Sequence, residues 1–127
     1  MDNYWADAIL LYEKIQEVIV KSSNVGATKI ALTIPRQDLW SMFVSIGVGY
    51  PTESGFPGEV GGHFKNFQDW HEVEHATLAF GYGVSMTALQ LARAYAVLAS
   101  GGRRLPISML HKPDADSAQD NLPRIFS

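Results

Sequence analysis

Apolar residues recur at three- and four-residue spacing near the start of the chain. Ile9, Tyr12, Ile15 and Ile19 share one side of a helix, with Glu13, Lys14, Gln16 and Glu17 opposite. This predicts a helix over residues 6–21, with Asp7 in its first turn, where a carboxylate complements the helix dipole. A second helix is expected over 25–34, turning Val25, Ile30 and Ile34 inward and stopped by Pro35. Gly26 weakens that helix unless another element approaches closely there. A third helix is expected over 36–46, with Leu39, Trp40, Phe43 and Ile46 as its apolar stripe and Gly47 as its terminator.

The pattern then breaks. Gly47, Gly49, Gly55, Gly58, Gly61 and Gly62, with Pro51 and Pro57, predict one long loop over 47–66. Loops of that length are functional or packed against something else. Residues 69–80 fit a helix and an extended strand equally, and periodicity leaves both open. Phe80-Gly81-Tyr82-Gly83 predicts a sharp turn. The clearest helix covers 88–99, opened by a Thr87-x-x-Gln90 capping box and closed by Gly101-Gly102. Leu89, Ala92, Ala96 and Ala99 share one face, with Leu91, Tyr95 and Leu98 beside it, so a close neighbour is expected on that side. Residues 105–110 have strand character, confined by Pro106 to an edge, and 114–121 read as a loop or frayed tail. The expected fold is mainly α, with a long Gly/Pro-rich loop and a short C-terminal edge strand, in one domain without internal repeats.

Composition narrows the function classes. At 127 residues the chain forms at most one domain, able to bury ~65 % of its unfolded surface. Apolar residues at 46 % and charged residues at 18 % fit a globular chain rather than a disordered one. The net charge of −3 comes from scattered residues, and Arg103-Arg104 is the only adjacent basic pair, so no nucleic-acid partner is expected. Without cysteine, a disulfide framework, a zinc thiolate site and a thiol nucleophile are all excluded. No apolar run approaches the ~20 residues of a membrane span. Met1-Asp2-Asn3 is acidic and Ile9-Leu10-Leu11 is short, so neither a signal core nor a membrane anchor is expected in this sequence.

Candidate chemistry gathers in the run Lys21-Ser22-Ser23-Asn24-Val25-Gly26-Ala27-Thr28-Lys29-Ile30-Ala31-Leu32, at the joint between the first two helices. Taken alone, its small polar residues read as a helix cap. His71-Glu72-Val73-Glu74-His75 satisfies the H-E-x-x-H pattern of zinc hydrolases, in which two histidines one turn apart bind metal and the glutamate activates water. The extended form of that pattern requires Gly at 78 and His at 81, where this chain has Leu78 and Gly81, and no Asp or Glu follows until Asp114. Solvent-facing histidines are therefore the preferred reading, with no metal site. Gly81-x-Gly83 lacks the third glycine of a dinucleotide fingerprint.

The run from Lys21 to Leu32 resembles the Ser-x-Asn segment of penicillin-binding proteins, the serine D,D-transpeptidases that cross-link bacterial cell walls. Three later stretches carry the resemblance further. Ile46-Gly47-Val48-Gly49 with Ser54-Gly55-Phe56-Pro57-Gly58-Glu59 is similar to the family's Gly-rich loop. Trp70, Glu74, Ala76 and Thr77 precede Phe80-Gly81-Tyr82-Gly83 in the family's manner, and Thr87 to Ala96 is similar to the helix that follows. The likeness is to the class B, division-type enzymes. It covers 19–127, the middle of a transpeptidase domain, while 1–18 match poorly and supply a leader helix. No Ser here has Lys three residues later, and Lys-Thr-Gly is absent, so the resemblance implies a partial domain, inactive alone.

It also implies roles. Ser22 matches the first position of Ser-x-Asn and relays a proton beside the nucleophile; Asn24 matches the third and orients a substrate amide. Ser23 is the variable middle position. Tyr82, and with it Phe80, matches a wall of the acyl-donor groove, against the alternative that both rings are core. The implied ligands are peptidoglycan stem peptides and β-lactams, with no cofactor. The implied partners are the remainder of the transpeptidase domain and proteins of the division machinery. The implied location of the parent is the periplasmic face of the inner membrane. A non-enzymatic helical interaction fragment stands as the alternative, with a zinc hydrolase through His71-Glu72-x-x-His75 behind it.

Overall fold

A computed structural model describes residues 14–111 and 122–126. In order, the elements are α1 (residues 14–20), α2 (Asn24–Leu32), α3 (Arg36–Ser45), β1 (His63–Phe64), a short 3-10 turn (Phe67–Asp69), α4 (Glu72–Leu78), β2 (Val84–Ser85) and α5 (Ala88–Ala99). Helix predominates, as the sequence leads one to expect. Asp7, Ile9 and Tyr12 of the expected leading helix, and the stretch 114–121 expected as a loop or tail, lie outside the described residues. The chain forms two compact units, one from residues up to 35 with 70–83, the other from 36–69 with 84 onward.

In the first unit α2 packs on α4, and the Thr28 hydroxyl donates to the Ala76 carbonyl at 3.2 Å. Ala31, Trp70, His75 and Leu78 are its buried residues. Gly26 is a close approach, as expected: a Cβ there would run into Val18 of α1. The expected inward face of α2 is not the one used. Val25 is 67 % exposed and Ile30 half-exposed, while the small Ala31 is buried on the Thr28 side, where a methyl group lets the helices come close. Ile15 and Ile19 of α1 likewise face outward. The undecided stretch 69–80 is helical over Glu72–Leu78, its start closed by the His71 N–H donating to Glu74 Oε2 at 2.8 Å.

In the second unit the α3 stripe packs through rings, as its spacing predicts. Trp40 meets Phe67 with centroids 5.5 Å apart, and Phe43 meets Phe64 edge-on at 5.8 Å. β1 and β2 pair antiparallel, His63 opposite Ser85 and Phe64 opposite Val84. The capping box of α5 is present: the Thr87 N–H donates to Gln90 Oε1 at 2.7 Å, and the Gln90 N–H to Thr87 Oγ1 at 3.1 Å.

The helix presents a different face from the one its hydropathy marks. Gln90, Arg93, Ala94 and Val97 are buried, whereas Leu91, Tyr95 and Leu98 are open to solvent. The edge strand expected over 105–110 does not form either. Pro106 has no N–H to donate to a ladder. The pairing here is a single antiparallel bridge between Arg103 and Arg124, beside an Ile125 N–H bond to the Gly102 carbonyl at 2.7 Å.

Candidate active site

The joint between α1 and α2 turns on Ser22, whose φ of +49° lies in the left-handed region. Its N–H still reaches the Ile19 carbonyl at 3.1 Å, and the Ser23 N–H reaches Val18 O at 2.9 Å, so α1 closes through a left-handed residue. Glycine usually takes that position, because a Cβ there costs about 1–2 kcal/mol. Ser23 is the N-cap of α2, its Oγ accepting from the Gly26 N–H at 3.1 Å. Capping thus occupies Ser23 alone. Ser22 and Asn24 are exposed, and neither side chain has a hydrogen-bond partner among the described residues.

Phe80 and Tyr82 stand on the turn that leaves α4. The Phe80 and Tyr82 N–H groups both donate to the Thr77 carbonyl at 3.2 Å, and Gly81 and Gly83 take φ of +88° and +86°. Phe80 is 45 % exposed and Tyr82 72 % exposed, so neither ring is core. All four residues belong to the first unit. No hydrogen bond or ring contact among the described residues joins Ser22 and Asn24 to Phe80 and Tyr82. The H-E-x-x-H histidines are unlike each other. His71 is exposed at the N-cap of α4, while His75 is buried with its ring 6.1 Å from Trp70. Among the described residues no three His, Asp or Glu side chains gather as a metal site requires.

The second unit contains polar residues that the hydropathy pattern concealed. The Gly-rich loop is bound to itself and to α5. Glu59 accepts from four donors: the Thr52 N–H at 2.6 Å, the Thr52 hydroxyl, the Ser54 N–H at 3.1 Å and the Ser54 hydroxyl at 2.9 Å. The Thr52 hydroxyl contributes most to holding the Glu59 carboxyl down at about 2, against an ordinary 4.5. Gln90, 1 % exposed, spreads its Nε2 between the carbonyls of Tyr50 and Gly61, both at 2.7 Å. Gly47 leaves room for the Arg93 guanidinium, into which a Cβ at that position would run. The available signal was Gln90 and Arg93 at helical spacing on the polar side of an otherwise apolar helix.

Glu59 gives the fold an acid limit. Its folded pKa lies below the unfolded one, so the network's contribution is complete above about 4.5 and drains away as the pH falls through about 2. The thermal midpoint of the chain, followed by circular dichroism, is expected to drop across that window. Glu59→Gln is expected to lack this acid limb; an identical limb in the variant would show that Glu59 is not its source.

With this geometry in place, the family can be read directly. The family model described as penicillin binding protein transpeptidase domain matches residues 7–124. The chain belongs to the penicillin-binding protein transpeptidase family. It is 44 % identical over 92 residues to the peptidoglycan D,D-transpeptidase FtsI of Escherichia coli K12, covering 72 % of this chain and 16 % of that protein. It is 40 % identical over 94 residues to the probable peptidoglycan D,D-transpeptidase PenA of Neisseria flavescens, covering 74 % of this chain and 24 % of the relative. The apo transpeptidase domain of Burkholderia pseudomallei penicillin-binding protein 3 superposes with a TM-score of 0.79 at 41 % identity, over 87 % of this chain and 33 % of that one. The chain therefore spans a quarter or less of the two named relatives. Its mostly helical architecture with a two-stranded sheet matches part of the transpeptidase fold.

Proposed function

We propose that this chain supplies the Ser-x-Asn segment and surrounding helices of a class B D,D-transpeptidase acting in septal wall synthesis. In such an enzyme a serine is acylated by the D-Ala-D-Ala end of a stem peptide, with D-Ala leaving. The acyl group then passes to the amine of a neighbouring strand, and β-lactams acylate the same serine. On this reading Ser22 relays a proton towards the leaving nitrogen and Asn24 orients the substrate amide. Tyr82 and Phe80 offer their exposed faces as a wall of the acyl-donor groove. The observation that carries the reading is the division of labour at the joint: Ser23 alone caps α2, while Ser22 is held in a costly conformation with its hydroxyl unengaged by the described residues. The reading also carries a periplasmic location and partners in the division machinery.

The 127 residues contain neither Ser-x-x-Lys nor Lys-Thr-Gly. This chain by itself is therefore expected to form no covalent adduct with a labelled penicillin, read by intact-mass analysis. The positive test places residues 20–111 in the corresponding segment of the E. coli FtsI relative, which restores a complete domain. Labelled penicillin is expected to acylate the chimera, and Ser22→Ala or Asn24→Ala to slow acylation about 100-fold. Ser23→Ala is expected to cost about 1 kcal/mol of stability while leaving the acylation rate intact. Acylation as fast in Ser22→Ala as in the unsubstituted chimera would overturn the assignment. The second reading, a non-catalytic interaction fragment, draws on the exposed Leu91, Tyr95 and Leu98 of α5, and a folded chimera that never acylates would favour it.

A further inference from the structure

Arg93 is a buried cation with no carboxylate in direct contact among the described residues. It is 5 % exposed, and no carboxylate lies within ion-pair distance of it among the described residues. Its Nη1 donates to the Thr52 carbonyl and its Nη2 to the Gly47 carbonyl, both at a long 3.4 Å, and its Nε has no partner. Glu59 attracts it from further off, but the Glu59 oxygens are already taken by Thr52 and Ser54. Burial and the nearby Arg104 both push the Arg93 pKa down. Buried charges are ordinarily held by a paired charge and good hydrogen bonds, and a guanidinium has five N–H groups to satisfy. Among the described residues that requirement is unmet.

A cavity of about 460 Å³ adjoins it, lined by Arg93, Arg104, Glu53 and the Leu105-Pro106-Ile107 segment. Arg104 is exposed and has no ion pair among the described residues. Two guanidinium charges against the one carboxylate of Glu53 leave a single positive charge on the lining, which suits a monoanion better than a dianion. Planar guanidinium groups favour a planar two-oxygen acceptor over a spherical ion. Leu105, Pro106 and Ile107 supply apolar surface for the body of such a ligand. We propose that this cavity binds a small carboxylate, received between Arg93 and Arg104 with its hydrocarbon part against Leu105, Pro106 and Ile107. The site lies wholly in the second unit and uses none of the residues assigned to transpeptidation.

The test follows the arginine Nε–Hε resonances of the 15N-labelled 127-residue chain. Acetate, butyrate, inorganic phosphate and chloride are titrated at constant ionic strength. Butyrate is expected to shift the Arg93 signal saturably, with acetate weaker, phosphate weaker still and chloride without saturation. Arg104→Ala is expected to weaken butyrate roughly tenfold by removing one of two charge-assisted partners. Glu53→Gln is expected to tighten it, a gain that a merely structural role for the loop does not produce. Linear shifts shared by all four anions, phosphate binding tighter than butyrate, or unchanged affinity in Arg104→Ala would each overturn the proposal. So would an Arg93 signal that ignores every added anion but moves on Asp114→Asn, since the chain would then supply the counter-charge itself.

Discussion

Gln90→Glu is expected to destabilise the chain by about 4 kcal/mol at neutral pH, although the two side chains have the same shape. The amide works as a donor in two directions at once, towards the carbonyls of Tyr50 and Gly61, while its oxygen accepts from Thr87. A carboxylate keeps the Thr87 bond and loses both others, leaving two carbonyl oxygens facing a third acceptor that carries a charge. The fold then raises the pKa of the introduced carboxyl. Its protonated form can donate to one carbonyl, so part of the lost stability is present below the ordinary carboxyl value near ~4.3 and disappears as the pH rises from there through the raised folded value. Urea melts at about pH 4 and about pH 7, each compared with the unsubstituted chain at the same pH, separate the two states and cancel the Glu59 contribution. A loss of the same size at both pH values would refute the donor argument.

The next largest effect is expected at Gly62. Its φ is +68°, and a Cβ there would run into the backbone carbonyl oxygen of Ser85. The clash falls one residue from the His63–Ser85 pair that joins β1 to β2, so backbone rather than a flexible side chain must give way. Gly62→Ala is expected to cost about 3 kcal/mol, from left-handed strain together with displacement of the ladder. Gly55 and Gly58 supply the comparison, with φ of +84° and +81° but open space around the missing Cβ. Alanine at either is expected to cost only about 1 kcal/mol. Equal losses at the three positions, read from chemical denaturation, would rule out a special role for the Ser85 contact.

These two sites mark where the sequence was legible and where it was not. Local signals read well. Thr87 and Gln90 announced the start of α5, Gly26 announced a close neighbour, and Trp40 and Phe43 announced the packed side of α3. What periodicity misjudged was which face of a helix is covered. On α5 it favoured the face of Leu89, Ala92, Ala96 and Ala99, with Leu91, Tyr95 and Leu98 beside it, but the partner within that unit is a Gly-rich loop whose carbonyl oxygens face the helix. The buried face is accordingly the one that can donate, Gln90 and Arg93. On α2 the contact with α4 required a small residue, so Ala31 lies inside and the larger Val25 outside. Residues 105–110 had strand composition, but the Met109 N–H bond to the Ser54 carbonyl at 3.3 Å is not continued into a ladder. At the candidate active site, the roles proposed for Ser22, Asn24, Tyr82 and Phe80 come from family resemblance and not from the residue pattern. The left-handed turn that sets Ser22 apart from Ser23 has no signature in residue type.

That turn has a consequence for how position 22 drifts over generations. Glycine at this φ is free of the penalty that serine bears, and asparagine bears less of it. A lineage selected for robustness of the folded chain alone would therefore replace Ser22 early, because the substitution relieves the backbone penalty and breaks no side-chain hydrogen bond among the described residues. A lineage that also depends on the hydroxyl cannot take that step. On the proposed reading, the use of the Ser22 hydroxyl as a proton relay offsets this energetic disadvantage, and position 22 is where selection for stability and selection for chemistry pull apart.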